Sequence, residues 1–143
     1  MTLCSVNALV CAMPRHGLID EELTHSVIGA FYDVYNTLGF GFLEHVYVMA
    51  LERELKSRGH RVGREVCVTI YYKGEELTTQ RLDMLVDGKV VVETKATEAL
   101  SKSAPRQLYN YLRATTLDVG LLFHFGPEPA FYRLVSPEAK QRP

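Results

Sequence analysis

The sequence predicts an α/β domain, a central mixed β-sheet with helices packed against it. Three observations carry this. Apolar residues recur at helical spacing in two early segments, the period changes to two from Arg64 onward, and a further helical segment divides the middle strands from two late ones. The 143 residues are the length of one domain. At this size roughly 68–70% of the unfolded chain's surface can be buried, enough for a core without staples.

The first helix is expected over Asp20–Leu38. Leu23, Val27, Phe31, Val34, Tyr35 and Leu38 make its apolar stripe, and Glu21 and Glu22 suit the positive end of its dipole. Asp20 is its expected cap and Gly39 its stop. After the break Gly39-Phe40-Gly41, a second helix runs from about Leu43 to Arg58. Its stripe is Leu43, Val46, Tyr47, Ala50, Leu51 and Leu55, with Glu44 in the first turn and Gly59 at the end. Val66, Val68, Ile70 and Tyr72 then alternate with polar residues, as in a strand with one buried face. Lys73-Gly74-Glu75 reads as a turn. Thr79–Val86 and Lys89–Lys95 read as strands around the hairpin signal Asp87-Gly88. The run Val90-Val91-Val92 marks the second of them as covered on both faces. Ser103 caps a third helix, with Pro105 in its first turn, which carries Gln107, Leu108, Tyr111 and Leu112 and fades near Ala114. Val119–Phe125 and Ala130–Val135 are the last strands. Residues 18–136 are expected to form the domain and residues 137–143 a frayed tail. Residues 1–17 are expected to be loosely ordered, and Met13 stands as a second candidate start.

With 47% hydrophobic and 23% charged residues, the composition excludes a disordered or fibrous chain. Sixteen Lys+Arg against 17 Asp+Glu give a net charge of -1, which excludes a generally polycationic nucleic-acid binder. Any nucleic-acid contact must then come from a local basic patch or a metal ion. Cys4, Cys11 and Cys67 are odd in number and lack CxxC spacing. They read as neither a disulfide framework nor a zinc site, and a cytoplasmic setting is expected. No apolar run is long enough to span a bilayer, and the N-terminus lacks the basic region of a signal peptide.

Chemistry concentrates in the middle strands. Asp83 lies on one, and Glu93, Thr94 and Lys95 end the next. Glu93 and Lys95 are two apart and point to the same face. Charges on otherwise apolar strands are costly unless paired or bound to an ion. Two readings stand at this point. One is an Asp–Lys–Glu ion-pair cluster that fixes strand register. The other is a two-carboxylate, one-ammonium pocket whose oxygen ligands suit Mg²⁺ or Mn²⁺. A shared metal requires Asp83 and Glu93 on one face. A plain two-residue turn at Asp87-Gly88 would put them on opposite faces. A three-residue loop Val86-Asp87-Gly88, or a bulge near Asp83, would restore the parity.

The pattern Asp83 … Glu93-Thr94-Lys95 across a hairpin, followed by a helix, resembles the PD-(D/E)xK nuclease-like superfamily. Gly41-Phe42-Leu43-Glu44-His45-Val46-Tyr47 resembles the stretch that names the GxxExxY protein family. The likeness continues through Gln80-Arg81-Leu82-Asp83, Gln107-Leu108-Tyr109-Asn110-Tyr111-Leu112 and Val119-Gly120-Leu121-Leu122. It implies a restriction-endonuclease-like core and a Mg²⁺- or Mn²⁺-dependent nuclease acting on DNA or RNA. Under it, Asp83, Glu93 and the Thr94 backbone carbonyl would hold metal. Lys95 would act on the attacking water, Glu44 would complete the metal shell or position water with Tyr47, one turn later, packed beneath it to hold its rotamer, and Gln107 and Tyr111 would touch phosphate or Lys95. Leu82 stands where the motif's name has Pro. Thr94 replaces a commoner aliphatic residue and would bring a hydroxyl near the site. His124 replaces a usual Asn and reads as a satisfied core histidine.

Two basic groupings stand out: Arg58, His60, Arg61 and Arg64 after the second helix, and Lys102, Arg106 and Arg113 around the third. The latter is the candidate phosphate contact. A lone domain of this size offers little surface for a duplex, so a homo-oligomer is expected, with no membrane partner. The competing function is a self-assembling or partner-binding protein that keeps the nuclease fold without turnover. A small-molecule phosphohydrolase using the same ions is the third.

Overall fold

The computed structural model describes residues 20–140. The expected loose segment 1–17, the second candidate start Met13 and tail residues 141–143 lie outside them. The elements run α1 (Glu21–Leu38), α2 (Glu44–Ser57), β1 (Val62–Tyr72), β2 (Glu75–Val86), β3 (Val90–Lys95), α3 (Ser103–Arg113), β4 (Val119–Phe125), β5 (Pro129–Val135) and α4 (Pro137–Lys140). Residues 137–140, expected to fray, thus form a turn of helix. The sheet order is β1-β2-β3-β4-β5. Only β3 and β4 pair in parallel, joined by the crossover through α3, so the sheet is mixed as expected. No helix among the described residues is long and apolar enough to cross a membrane.

The α1 and α2 helices cover one sheet face. Val27, Phe31, Val34, Tyr47, Leu51 and Leu55 pack there against Met84, Val86, Val90, Val92, Phe123 and Phe125. Its centre is aromatic: the Phe31 and Phe123 rings stack at 4.4 Å, and Tyr47 stacks on Phe125 at 4.2 Å. Such pairs add stabilisation beyond their buried area. The α3 helix covers the other face, with Ala104, Leu108 and Leu112 against Val68, Leu82, Val91 and Leu122. The valine run of β3 is buried on both sides, as its sequence predicts.

Local details differ from expectation. Asp20 occupies the cap position of α1 in the left-handed region (φ 52) and makes no side-chain capping bond. Instead its carbonyl accepts the Thr24 N–H at 2.8 Å. Tyr72, expected on a buried face, is 60% exposed because β1 and β2 run past the rest of the sheet and its register shifts after Ile70. Cys67 is disulfide-bonded, which corrects the reading that the cysteines supply no disulfide; Cys4 and Cys11 lie outside the described residues. Linear spacing does not show which cysteines a fold brings together.

The faces of β1 and β2 exchange where Glu65 meets Asp83. Above that point Val62, Met84 and Val86 pack toward α1 and α2, whereas below it Val68 and Leu82 pack toward α3. Glu65 has φ 52, a left-handed conformation that re-aims the strand. Asp83 therefore sits at the one place on β2 where the strand changes face.

In the first basic grouping the side chains of Arg58, His60 and Arg64 are spent on structure. Arg58 reaches Asp33, Glu54 and the Ser26 carbonyl, and Arg64 pairs with Glu52 at 3.2 Å. His60 Nδ1 lies 2.8 Å from Asp87 Oδ2 and its Nε2 lies 2.7 Å from Ser26 Oγ. The Arg61 N–H donates to Asp87 Oδ1 at 2.7 Å. This chain ties α1, the α2–β1 turn and the β2–β3 loop together. Against the cost of burial, the Arg61 N–H and then His60 hold the Asp87 carboxyl below its ordinary value of 3.8. A depressed carboxyl contributes stability above its unfolded value and loses it as pH falls. Asp87→Asn is expected to unfold at lower urea concentration than the wild type at pH 6, and the gap should narrow below pH 3.8. Urea melts across pH check this.

Candidate active site

Pairing of Val86 with Val90, Leu85 with Val91 and Met84 with Val92 fixes the hairpin register. The loop is Asp87-Gly88-Lys89, with φ 51 and 67 at its first two residues. It has the three-residue length that is one of the two ways to restore the parity, but one residue later than the expected Val86-Asp87-Gly88. Continuing the register puts Asp83 opposite Glu93, on one face.

There the backbone ladder gives way to side chains. The Asp83 N–H donates to Glu93 Oε1 at 2.8 Å, and the Thr94 N–H donates to Asp83 Oδ2 at 2.7 Å. Each carboxylate replaces a ladder acceptor on the opposite strand. Burial raises the Asp83 carboxyl, opposed by the Thr94 N–H, Lys95 and Arg64. Burial also raises Glu93, and the Asp83 carboxylate adds to it, so that it reaches about 7.

Glu44 is solvent-exposed at the start of α2 yet belongs to the same group. Burial and Asp83 raise its carboxyl, while Lys95 and the Ala96 N–H lower it. The Lys95 ammonium acts on Glu44, Asp83 and Glu93 alike. It makes no ion pair among the described residues.

A cavity of about 200 Å³ opens over this end of β3, lined by Glu93, Lys95, Gln107 and Tyr111 together with Gln80 and Arg81. The first four are the expected neighbours; Gln80 and Arg81 join them although the sequence assigns them no role. Gly120 lets α3 close down on the sheet, since an added Cβ would stand 3.1 Å from Leu108 Cγ. His124 is 7% exposed and its Nε2 lies 2.9 Å from the Thr97 carbonyl, so it is the satisfied core histidine expected. It anchors the segment leading from Lys95 into α3.

Three expectations change. Thr94 is fully buried, its Oγ1 has no hydrogen-bond partner, and strand alternation turns it away from Glu93 and Lys95. The hydroxyl therefore does not enter the cavity. Tyr47, expected to brace Glu44, braces the preceding loop instead. Its hydroxyl donates to the Gly39 carbonyl at 2.5 Å and accepts the Phe42 N–H at 3.2 Å. Lys102, Arg106 and Arg113 lie within about 40° of each other around α3. That stripe faces away from the sheet. Arg106 stands 5.2 Å from the Tyr109 ring, and only Arg113 borders a groove beside the cavity.

Among the described residues, no three His, Cys, Asp or Glu side chains form a ready-made metal cage. The donors nevertheless fit a Mg²⁺-type ion, which takes one or two carboxylates and keeps its waters. Asp83 and Glu93 each commit one oxygen to a backbone N–H, and their crowding is a repulsion that a cation relieves.

A family model for the PD-(D/E)XK nuclease superfamily matches residues 21–134. The chain belongs to that superfamily. Membership points to a nuclease, in a superfamily whose members use divalent metals. A solved structure, "Crystal structure of SSO0001", shares the fold with a TM-score of 0.51 at 24% identity. The match covers 85% of this chain and 62% of that one. No curated protein matches the sequence.

Two outcomes follow from this geometry. A carboxyl held above its unfolded value gives stability that is complete below the unfolded value and lost as pH rises through the folded one. With chelator present, stability should fall between pH 4.5 and about 7, and Glu93→Gln should flatten that slope in thermal melts. Tyr47→Phe removes two loop bonds and should cost about 1–3 kcal/mol in urea melts.

Proposed function

We propose that the protein hydrolyses phosphodiester bonds of DNA or RNA with Mg²⁺ or Mn²⁺. The observation supporting this best is the crossing of Asp83 and Glu93 at the end of the ladder, beside a Lys95 that is not clamped to either. A structural ion-pair cluster would gain from closing that lysine onto a carboxylate. A site that must admit an ion and a phosphate needs it available.

In this reading Asp83, Glu93 and the Thr94 carbonyl hold the ion, with Glu44 at its open side. Bound there, the ion supplies a Lewis acid and a water of lowered pKa. Lys95 orients that water and offsets charge building on the phosphoryl oxygens. The Gln107 amide and Tyr111 hydroxyl donate to a phosphate oxygen from the cavity wall. Glu44 positions the water, and the loop pinned by Tyr47 fixes where Glu44 begins. Gly41, Glu44 and Tyr47 also support the finer assignment to the GxxExxY family. A homo-oligomer belongs to the same reading, with Phe131 and Tyr132 exposed on edge strand β5 as apolar surface for contact.

Purified protein should cleave nucleic acid with Mg²⁺ or Mn²⁺ and stop with chelator. Lys95→Ala should lower the rate by about 10²- to 10³-fold while leaving the melting temperature nearly unchanged. Asp83→Ala should lose both cleavage and metal binding by calorimetry. Cleavage that persists in both variants would assign the activity elsewhere.

A further inference from the structure

The β1–β2 pair extends beyond β3 as a two-stranded arm, because β2 has 12 residues and β3 only six. Between that arm and α3 lies a groove of about 600 Å³. Its walls carry Tyr71 and Thr78 from the arm, and Asn110 and Arg113 from the helix. Gln80 and Tyr111 line both this groove and the cavity over Glu93 and Lys95, so the two are continuous.

We propose that one unpaired nucleic-acid strand lies in this groove and is led by it into the cavity. This rests on the nuclease reading and names its substrate class. Three features of the lining support it. Tyr71 is 64% exposed. An open aromatic face binds an unstacked base, whereas bases inside a duplex already stack on one another. The Asn110 and Gln80 amides both donate and accept hydrogen bonds, which suits the edges of unpaired bases. Charge along the path is sparse, and its cations Lys95 and Arg81 lie beside the carboxylates Glu93, in the cavity, and Glu65, 3.7 Å from Arg81. Among the described residues Arg113 is the only charged one lining the groove, with Arg81 and Lys95 at the cavity beyond it. A duplex held through its backbone typically uses about 6–10 phosphate contacts. Lys102 and Arg106 do not line this path. Three cations and an aromatic ring suit one strand.

The test uses full-length Lys95→Ala protein, so that binding is read without cutting. Fluorescein-labelled 20-mers of dT or rU, and a hairpin duplex of equal length, are titrated by anisotropy. Single strands should bind more tightly than the duplex. The dT and rU arms separate DNA from RNA. Added Tyr71→Ala should weaken single-strand binding by about 5- to 150-fold, the range for one stacked base, and Tyr71→Phe should restore it. In this Lys95→Ala background the slope of log K against log salt should be about −1.4, as expected for the two remaining phosphate contacts, from Arg81 and Arg113, on a single strand. Melting curves confirm that Tyr71→Ala is folded. If the duplex binds at least as tightly as single strands, or Tyr71→Ala changes nothing while the wild type still cleaves, the groove assignment is overturned and the nuclease reading survives. If the wild type neither cleaves nor binds any nucleic acid, both fall together.

Discussion

Two hydrogen bonds across the β2–β3 hairpin organise the rest of the site. The Asp83 N–H binds the Glu93 carboxylate, and the Thr94 N–H binds the Asp83 carboxylate. In an ordinary antiparallel pair those N–H groups would meet backbone carbonyls. Giving them carboxylates achieves two things at once. It satisfies buried backbone donors at the point where the strands part, and it holds two anions on one face. The energetic conflict is explicit. Burial and mutual repulsion push Glu93 to about 7, yet no side-chain cation is bonded to it among the described residues. Strain of this kind is expected where a fold gives up stability for a site.

The rest of the architecture carries other elements to that crossing. The α1–α2 core of stacked aromatics sets the start of α2. The bonds from Tyr47 to Gly39 and Phe42 then fix the loop that delivers Glu44. Gly41 allows that loop its shape, with φ 115 and open space around it. On the opposite face Gly120 admits Leu108, which draws α3 close enough for Gln107 and Tyr111 to reach Lys95's cavity. A glycine that permits close approach and a tyrosine that closes a loop act through others. Neither need touch a substrate for its loss to disturb the site.

Much of this was legible in the sequence because it rests on periodicity. The helical stripes, the valine run of β3 and the Asp87-Gly88 signal each reflect local geometry. The D…ExK spacing located the charged trio, and the parity argument left a three-residue hairpin loop or a bulge near Asp83 as the ways to put both carboxylates on one face, of which the chain uses the loop. Which three residues form that loop was not legible, since Val86 serves equally as a last strand residue or a loop residue until its partner is known. The face exchange at Glu65 and Asp83 was hidden for a similar reason. Glu65 gives no glycine-like signal of its left-handed backbone. The role of Tyr47 was mistaken because its apolar ring position was readable, but the target of its hydroxyl depends on a loop conformation. The basic grouping at Arg58–Arg64 looked like a patch because its acidic partners Asp33, Glu52, Glu54 and Asp87 are scattered along the chain.

The extra length of β2 was the least readable feature and has the largest consequence for access to the site. Residues 75–81 are exposed and carry no apolar alternation, because past Leu82 they pair only with β1 and pack on nothing. A two-stranded ribbon of this kind is marginal on its own. Here the ribbon is rooted in a five-stranded sheet, so its base is held rigid while its tip projects. Exposed edges invite pairing with other chains. This arm carries Glu75, Glu76 and Arg81 on one strand and Lys73 at the turn, charges that oppose such pairing. Its sequence is thus constrained against association at the edge while remaining open beside α3. That combination makes the arm a wall of the approach to the carboxylates, and it requires no apolar pattern that sequence periodicity would reveal.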